Sequence, residues 1–298
     1  MRERLRAHLR ALIAERHPLS SPVALQRAED YLTEQFRLLG LDVSTHSFEA
    51  LGGTYRNIIG TRSASNPSPE SDASLIIAAH YDTVMGSPGA DDNASALAVM
   101  LEVARCLRGV PLSREVRFIA FCLEEEDLLG SLAYVSWLRE SAQKIAGAIV
   151  LESVGYACSD EGSQRIPPGV PVAVPTVGDF LAIVGNQASV NLSAAVEGAA
   201  RERVPDLKTV SLTVPGNGEL LPDTRRSDHA DFWHYGYPAV MLTDTADFRN
   251  PHYHRSTDRL DTLNLEFMEN VAGAVTAAAI RLCVASAIPS PLEGAGEG

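Results

Sequence analysis

The sequence has few cysteines, and their spacing does not indicate a disulfide framework. Its four cysteines, Cys106, Cys122, Cys158 and Cys283, are scattered along 298 residues and form no CxxC pair. Small secreted domains that depend on disulfides carry more cysteines at shorter spacings. The pattern therefore favours a reduced compartment, and we expect a cytoplasmic protein whose cysteines are buried as small apolar residues.

The sequence also lacks a surplus of positive charge and any clear targeting or membrane-spanning segment. A formal net charge of −13 argues against nucleic acid as a partner. Residues 1–21 are basic and amphipathic without a continuous apolar stretch, so they predict a surface helix and not a signal peptide. Residues 271–288 are apolar but contain Thr276, Arg281 and Ser286, which predicts a buried or half-buried helix and no membrane span.

The rest of the composition is typical of a globular enzyme, with 45% apolar and 21% charged residues and no internal repeat. Apolar strand-like runs alternate with stretches of helical periodicity, which is the pattern of a doubly wound α/β fold. We therefore predict one α/β domain over residues 1–288, with a mixed, mainly parallel sheet and helices on both faces, and a disordered tail over residues 289–298. The predicted strands are 43–48, 55–61, 74–79, 116–123, 146–151 and 239–243, and the predicted helices are 24–39, 93–107, 128–140, 178–203 and 265–285.

Side chains that can bind metal ions follow three of the predicted strands. His80 follows the first of them, Glu124 and Glu125 follow the second, and Glu152 follows the third. Because the carboxyl ends of parallel strands meet at one edge of the sheet, we expect these groups to lie together. Imidazole and carboxylate groups are ligands of zinc, so the sequence predicts a metal site at this edge.

The two adjacent glutamates can have different roles. At the turn from a strand to a loop their side chains can diverge, so that one binds a metal ion while the other acts as a general base on a water molecule. Asp82 lies two residues after His80, on the same side of an extended segment, where it can orient the imidazole ring of His80.

Five motifs in order give the sequence a specific resemblance to peptidase family M28, a family of zinc aminopeptidases. A shorter match, NIIG at residues 57–60, precedes them. The five motifs are HYD at 80–82, GADDNAS at 89–95, EEEDLLGS at 124–131, SDHADFW at 227–233 and NPHYHRSTD at 250–258. The resemblance covers nearly the whole chain and implies the zinc-exopeptidase fold.

The resemblance also implies a role for each site residue. Asp92, and not Asp91, corresponds to the carboxylate that bridges two metal ions, and His254, and not His252, corresponds to the last ligand. The implied set is His80 and Glu152 on one ion, Glu125 and His254 on the other, Asp92 between them, Glu124 as the base, and Tyr253 as a donor to the substrate carbonyl or oxyanion. Two Zn²⁺ ions per chain are implied, with Co²⁺ or Mn²⁺ as alternatives.

The sequence departs from the family pattern at three positions. Glu152 stands where Asp is common, so its longer side chain puts the geometry and the metal preference in doubt. Ala96 stands where Gly is common, and Arg259 where a small polar residue is common, which puts the substrate preference in doubt.

Other residues near these motifs are expected to have supporting roles. We expect Asp91 to cap the helix that begins near Asn93. His229 and Asp228 are expected to support ligands without binding metal themselves, and His234 and His252 to lie outside the ligand set.

The sequence therefore predicts a metal-dependent exopeptidase, specifically an aminopeptidase that hydrolyses the N-terminal residues of peptides through a metal-bridged water. Its expected partner is a peptide substrate, with no nucleic acid and no membrane. The oligomeric state is not predicted. Three alternatives stay open at this point: an acyl transferase like glutaminyl cyclase, a non-catalytic binding module of the same fold, and a carboxypeptidase or other amide hydrolase that uses Arg225, Arg226, Arg249 or Arg255.

Overall fold

A computed structural model of the protein describes residues 1–67 and 72–284. Within these residues eight strands form one sheet in the order β1-β2-β4-β3-β5-β8-β6-β7. The strands are β1 Asp42–Ala50, β2 Gly53–Arg62, β3 Ser74–His80, β4 Val116–Phe121, β5 Ile145–Glu152, β6 Phe180–Asn186, β7 Lys208–Val214 and β8 Ala239–Thr243. The helices are α1 Arg2–Leu12, α2 Pro22–Leu38, α3 Ala96–Leu107, α4 Leu129–Glu140, α5 Val190–Arg203, α6 His229–His234 and α7 Leu265–Cys283.

The centre of the sheet is parallel and its margins are mixed. Strand β3 pairs in parallel with β4 and β5, and β5 pairs in parallel with β8. The antiparallel pairs are β1 with β2, β2 with β4, and β6 with β8. Every residue of β3 is buried, as expected for a strand with both faces covered, which is why its sequence is a continuous apolar run. The predicted mixed, mainly parallel sheet is confirmed.

Helices cover both faces because alternate residues of each central strand point to opposite sides. Leu75 and Ile77 of β3 pack in a cluster with residues of α1, α2, α3, α5 and α7. Ile76 and Ala78 pack in a second cluster with residues of α4 and α6. The predicted N-terminal helix is α1, and its leucines at helical spacing are buried in the first cluster.

The predicted helix over residues 178–203 is wrong in its first part. Residues Phe180–Asn186 form β6, which pairs with β7 and β8, and the helix begins only at Val190. A short apolar run that is buried on both faces cannot be distinguished from a buried helix by periodicity alone. Strand β7 was not predicted.

Some predictions concern residues outside the described part of the chain. The predicted tail, residues 289–298, lies there entirely, and so do residues 285–288 at the end of the predicted domain. None of the helices in the described residues has the length and apolar content needed to cross a membrane. All four cysteines lie within the described residues and are free thiols.

Candidate metal centre

The predicted ligands converge at the carboxyl edge of the parallel strands. His80 is the last residue of β3 and Glu152 is the last residue of β5. Glu124 and Glu125 follow β4 in a turn where Leu123 has a φ of 61°, and this change of direction lets the two adjacent side chains diverge. Since β4, β3 and β5 are neighbours in the sheet, His80 lies between the two acidic segments.

Asp92 contacts two histidines through its two oxygens. Its Oδ1 lies 3.1 Å from Nε2 of His80, and its Oδ2 lies 3.0 Å from Nε2 of His254. The same nitrogen of His80 lies 3.4 Å from Glu152 Oε2, and that of His254 lies 3.2 Å from Glu125 Oε2. The described residues hold three groups of potential ligands, and two of them, His80–Asp92–Glu152 and Asp92–Glu125–His254, share the carboxylate of Asp92. The third group, His80–Glu124–Glu125, contains the predicted base Glu124.

The side chains fit zinc in both chemistry and spacing. Ligand atoms about 2.0–2.2 Å from a tetrahedral ion lie about 3.3–3.6 Å from one another. The histidine–carboxylate separations in both groups, 3.0–3.4 Å, are close to this range. Among the described residues, several buried polar atoms at the site have no hydrogen-bond partner, namely both ring nitrogens of His80, Oδ1 of Asp92 and Oε1 of Glu125. Because buried polar atoms are normally paired, these atoms are suited to metal coordination.

The electrostatics of the site favour a cation. Burial raises the pKa of Glu125 to about 7, with a further contribution from the Asp92 carboxylate. Burial also raises the pKa of Glu124 well above its usual range. Burial opposes the charged form of His254, but its bonds to Asp92 and Glu125 raise its pKa to about 10. Crowded buried carboxylates bind protons or cations, and divalent ions would neutralise them.

Asp82 connects the ends of β3 and β4. Its oxygens accept hydrogen bonds from the backbone N–H groups of Glu124 and Glu125, each at 3.1 Å. Its Oδ1 lies 3.6 Å from Nδ1 of His80, on the side of the ring away from Asp92. The hydrogen bonds of Asp82 are therefore with the turn that carries Glu124 and Glu125. Its side chain also faces Nδ1 of His80, the nitrogen that the sequence analysis expects it to orient.

The expected capping role of Asp91 is wrong. Helix α3 begins at Ala96, and the side chain of Asp91 accepts hydrogen bonds from Gly155 N at 2.8 Å and Asn250 Nδ2 at 2.6 Å. Asp258 accepts from the backbone N–H groups of Asp91 at 2.9 Å and of Asp92 at 3.2 Å. Asp91 and Asp258 thus position the chain segment that carries Asp92. Local helix signals in the sequence could not reveal this role.

The motif SDHADFW supplies support, and not ligands, around Glu152. The hydroxyl of Ser227 donates to Glu152 Oε2 at 2.9 Å, a contact that the sequence reasoning missed. His229 is fully buried, with Nε2 2.8 Å from the carbonyl oxygen of Thr224, and burial lowers its pKa to about 4. Asp228 is fully buried beside this region, and burial raises its pKa well above its usual range.

His234 and His252, the two other histidines in or beside the motifs, lie outside both ligand groups. His234 is exposed at the end of α6. The Nδ1 of His252 lies 3.0 Å from Oγ1 of Thr257. The expectation that neither residue binds metal stays a prediction.

Tyr253 lies at the boundary between the ligand groups and an apolar pocket. Its ring stacks on that of His254 with a centroid distance of 3.8 Å, and its hydroxyl accepts a hydrogen bond from Arg226 at 3.3 Å. Tyr253 and Glu152 both line the pocket. Its apolar lining comes from the sheet and from the Pro-rich segment after β5, and includes Val170, Val172, Phe180, Val184, Leu212 and Met241.

Comparison with known proteins identifies relatives of the chain and its fold. YfbL of Escherichia coli K12 is 34% identical over 289 residues, which cover 92% of this chain and 86% of YfbL. The structure of a zinc aminopeptidase from Bacillus subtilis is 28% identical in sequence and superposes with a TM-score of 0.61. The match covers 80% of this chain and 53% of the B. subtilis chain, so the present chain spans about half the length of that enzyme. A glutaminyl cyclase from Fimbriiglobus ruber shares the fold, with 20% identity, a TM-score of 0.70 and 95% of each chain covered. The model of peptidase family M28 matches residues 57–279, and the chain therefore belongs to this family.

Proposed function

We propose that the protein is a zinc-dependent aminopeptidase with two Zn²⁺ ions per chain, bound by His80, Asp92, Glu125, Glu152 and His254. The observation that carries this proposal is that the two oxygens of Asp92 contact two different histidines, each of which also contacts a glutamate. When bound, such a pair of ions would activate water and polarise the scissile carbonyl. The B. subtilis zinc aminopeptidase and the family membership support the same activity.

Glu124 is the proposed general base. Its Oε2 lies 3.7 Å from Nε2 of His80, so its carboxylate borders the ligand groups. Burial raises its pKa, and a carboxylate with a raised pKa accepts a proton from water more readily near neutral pH. Glu124 would take the proton of the attacking water and then deliver it to the leaving amine.

Tyr253 is the proposed donor to the substrate carbonyl oxygen. Arg226 donates to its hydroxyl oxygen, which leaves the hydroxyl hydrogen of Tyr253 available for another acceptor. Burial raises the pKa of Tyr253, with contributions from the Asp92 and Glu152 carboxylates, so the phenol stays protonated. A protonated phenol can stabilise negative charge that develops on the carbonyl oxygen.

The apolar pocket supports a preference for peptides with an apolar N-terminal residue. It begins at Glu152 and Tyr253 and is lined by apolar side chains of β6, β7 and β8. A side chain that enters it would bury its apolar surface beside the proposed reaction site.

Two of the four arginines that a carboxypeptidase could use, Arg226 and Arg249, are already engaged by other groups. Such an enzyme needs a cation that is available to the substrate carboxylate. Arg226 is engaged by Asp247 at 2.8 Å and also contacts the hydroxyl of Tyr253. Arg249 is buried, donates to Gln164 and lies over the ring of Phe180.

The cyclase alternative predicts a different metal content. Enzymes of that type typically keep a single catalytic zinc, whereas this chain has both ligand groups complete. Elemental analysis of protein purified without added metal should give close to two zinc ions per chain. Leucyl peptides with a free amine should be hydrolysed and their acetylated forms should not. One ion per chain together with pyroglutamate formation would replace the aminopeptidase proposal by the cyclase.

We also propose that residues 1–288 form a single catalytic domain. The protein would act in the reducing cytoplasm. The free thiols support the reducing compartment. Cell fractionation with an antibody against the chain tests the location.

A further inference from the structure

A fully buried arginine, Arg16, lies between α1 and α2, before the region that the family model matches. Its guanidinium donates to the carbonyl oxygens of Leu12 at 2.5 Å and Ala14 at 2.9 Å, which ends α1. Its backbone N–H donates to Oγ1 of Thr83 at 2.8 Å. The residue is therefore fixed both to its own segment and to the loop that follows β3.

The same guanidinium also holds the two ends of the loop over residues 81–89. Its Nε donates to the carbonyl oxygen of Tyr81 at 2.7 Å. Its terminal nitrogens donate to the carbonyl oxygens of Pro88 at 3.1 Å and Gly89 at 3.2 Å. Tyr81 directly follows His80 in the chain, and Gly89 lies three residues before Asp92, so these bonds hold the backbone next to two proposed ligands.

The backbone at Gly89 is packed so closely against Thr83, Asp92 and Arg16 that a larger residue does not fit. Gly89 has a φ of +60°, and a Cβ at this position would lie 2.4 Å from the carbonyl oxygen of Asp92 and 2.9 Å from a terminal nitrogen of Arg16. The arginine and the Asp92 backbone therefore share one tightly packed junction. A displacement of the guanidinium would be transmitted to the shared carboxylate.

Arg16 also places a positive charge near buried carboxylates of the proposed metal site. The five contacts of its guanidinium are all with backbone carbonyl oxygens. Burial lowers its pKa to about 10, with opposing contributions from Asp82, Asp92, Asp258 and Glu125, so it stays charged at neutral pH. Desolvation disfavours a buried charge, and the nearby carboxylates offset this cost.

The neighbouring residue makes a second connection to the site. Nε2 of His17 lies 3.2 Å from Oε1 of Glu126. Glu126 directly follows Glu124 and Glu125 in the chain. Its Nδ1 accepts hydrogen bonds from the backbone N–H groups of Leu19 and Ser20, each at 3.2 Å. The segment after α1 therefore contacts both the loop after β3 and the turn after β4.

We propose that Arg16 is a positioning residue of the metal centre, one that fixes the backbone of His80, Asp82 and Asp92 through the loop over residues 81–89. It acts through these residues and does not touch metal or substrate. The inference rests on the proposed function, because it assigns the N-terminal segment a role in metal affinity.

The test compares Arg16→Met and Arg16→Lys with Arg4→Met in the full-length protein. Arg4 also anchors α1, and within the described residues its side-chain hydrogen bonds all go to Glu102, the shortest at 2.9 Å, so its variant is the matched control. Zinc affinity is measured by chelator competition, and amide hydrogen exchange is measured on the metal-free proteins.

Arg16→Met should weaken zinc binding by about tenfold or more and speed exchange in residues 80–92. Arg4→Met should lower the melting temperature while leaving zinc affinity within about twofold of the wild type. Arg16→Lys should fall between Arg16→Met and the wild type, because it keeps the charge but has fewer donors. If Arg16→Met does not fold, Arg16→Lys alone decides: wild-type zinc affinity and exchange in that variant would overturn the inference.

Equal effects of Arg16→Met and Arg4→Met would overturn it as well, since they would show only general docking of α1. If the wild-type protein binds no zinc, the proposed function fails. The exchange of residues 80–92 in the metal-free proteins still shows whether Arg16 orders this loop, so the two failures can be distinguished.

Discussion

The hydroxyl of Ser227 donates a 2.9 Å hydrogen bond to Oε2 of Glu152, and both residues are buried. Glu152 is the position where the family pattern commonly has Asp, so a longer side chain must be held at the same edge of the sheet. Because that oxygen also lies 3.4 Å from Nε2 of His80, the serine fixes the atom that faces the proposed ion.

Ser227→Ala should therefore weaken metal binding without removing it. Loss of a hydrogen bond that orients a ligand typically lowers metal affinity by about 10- to 100-fold. Chelator competition followed by elemental analysis measures the change. Ser256→Ala, at an exposed position in the loop after His254, is the control. Unchanged affinity in Ser227→Ala would mean that Glu152 is positioned by other contacts.

Glu124→Gln should abolish most turnover while zinc stays bound. General acid–base catalysis contributes about 10²- to 10⁴-fold, so kcat should fall by about that factor. Glu125→Gln should instead lose zinc, because Glu125 Oε2 contacts His254 at 3.2 Å. Steady-state kinetics and zinc content of the two variants measure these effects. The opposite result, zinc loss in Glu124→Gln alone, would exchange the two assignments.

The sequence predicted the parts of the site that follow regular elements. His80 and Glu152 each end an apolar run, so the position of the strand predicts the position of the ligand. His254 lies in a loop without periodicity, and only the resemblance to the family selected it over His252. The contacts of Ser227 and Arg16 join segments that are distant in the chain, and no local pattern encodes such contacts.

The same limit applies to the fold. The central strands were predicted because burial on both faces makes them continuously apolar. In β6 this apolar composition was mistaken for a helix, since its identity as a strand depends on pairing with β7 and β8. Asp91 was misassigned for a related reason, because its partners Gly155 and Asn250 come from other loops.

His229 should make the fold sensitive to acid. Burial lowers its pKa to about 4 in the folded protein, below about 6.5 in the unfolded chain. The unfolded state therefore binds more protons, and the stability that the neutral ring contributes is present above about pH 6.5 and lost as the pH falls toward 4. By linkage the loss at pH 5 is about 2 kcal/mol.

Urea unfolding of metal-free protein at pH 7.5 and pH 5 measures this loss, since the absence of metal removes the contribution of ligand binding. In His229→Gln the difference between the two pH values should shrink by about 2 kcal/mol relative to the wild type. His234→Gln, at an exposed position in the same helix, should keep the wild-type difference. An unchanged difference in His229→Gln would show that other groups dominate the acid response.

Val184→Phe should change which peptides are cleaved by filling the apolar pocket. Val184 lies on β6, and its side chain lines the pocket that begins at Glu152 and Tyr253. The larger ring should hinder the entry of a leucine side chain but leave room for alanine. A misfit of one methylene group in an apolar pocket is worth about 1–3 kcal/mol, so kcat/KM for leucyl substrates should fall by about 10- to 200-fold or more, with alanyl substrates little affected.

Kinetics on a matched pair of leucyl and alanyl peptides separate this effect from general damage to the enzyme. Val23→Phe, at an exposed position near the start of α2, should leave both substrates unchanged. A parallel loss on both peptides in Val184→Phe, with zinc content intact, would mean that the pocket does not receive the N-terminal side chain. The apolar preference would then have to come from another surface beside Tyr253.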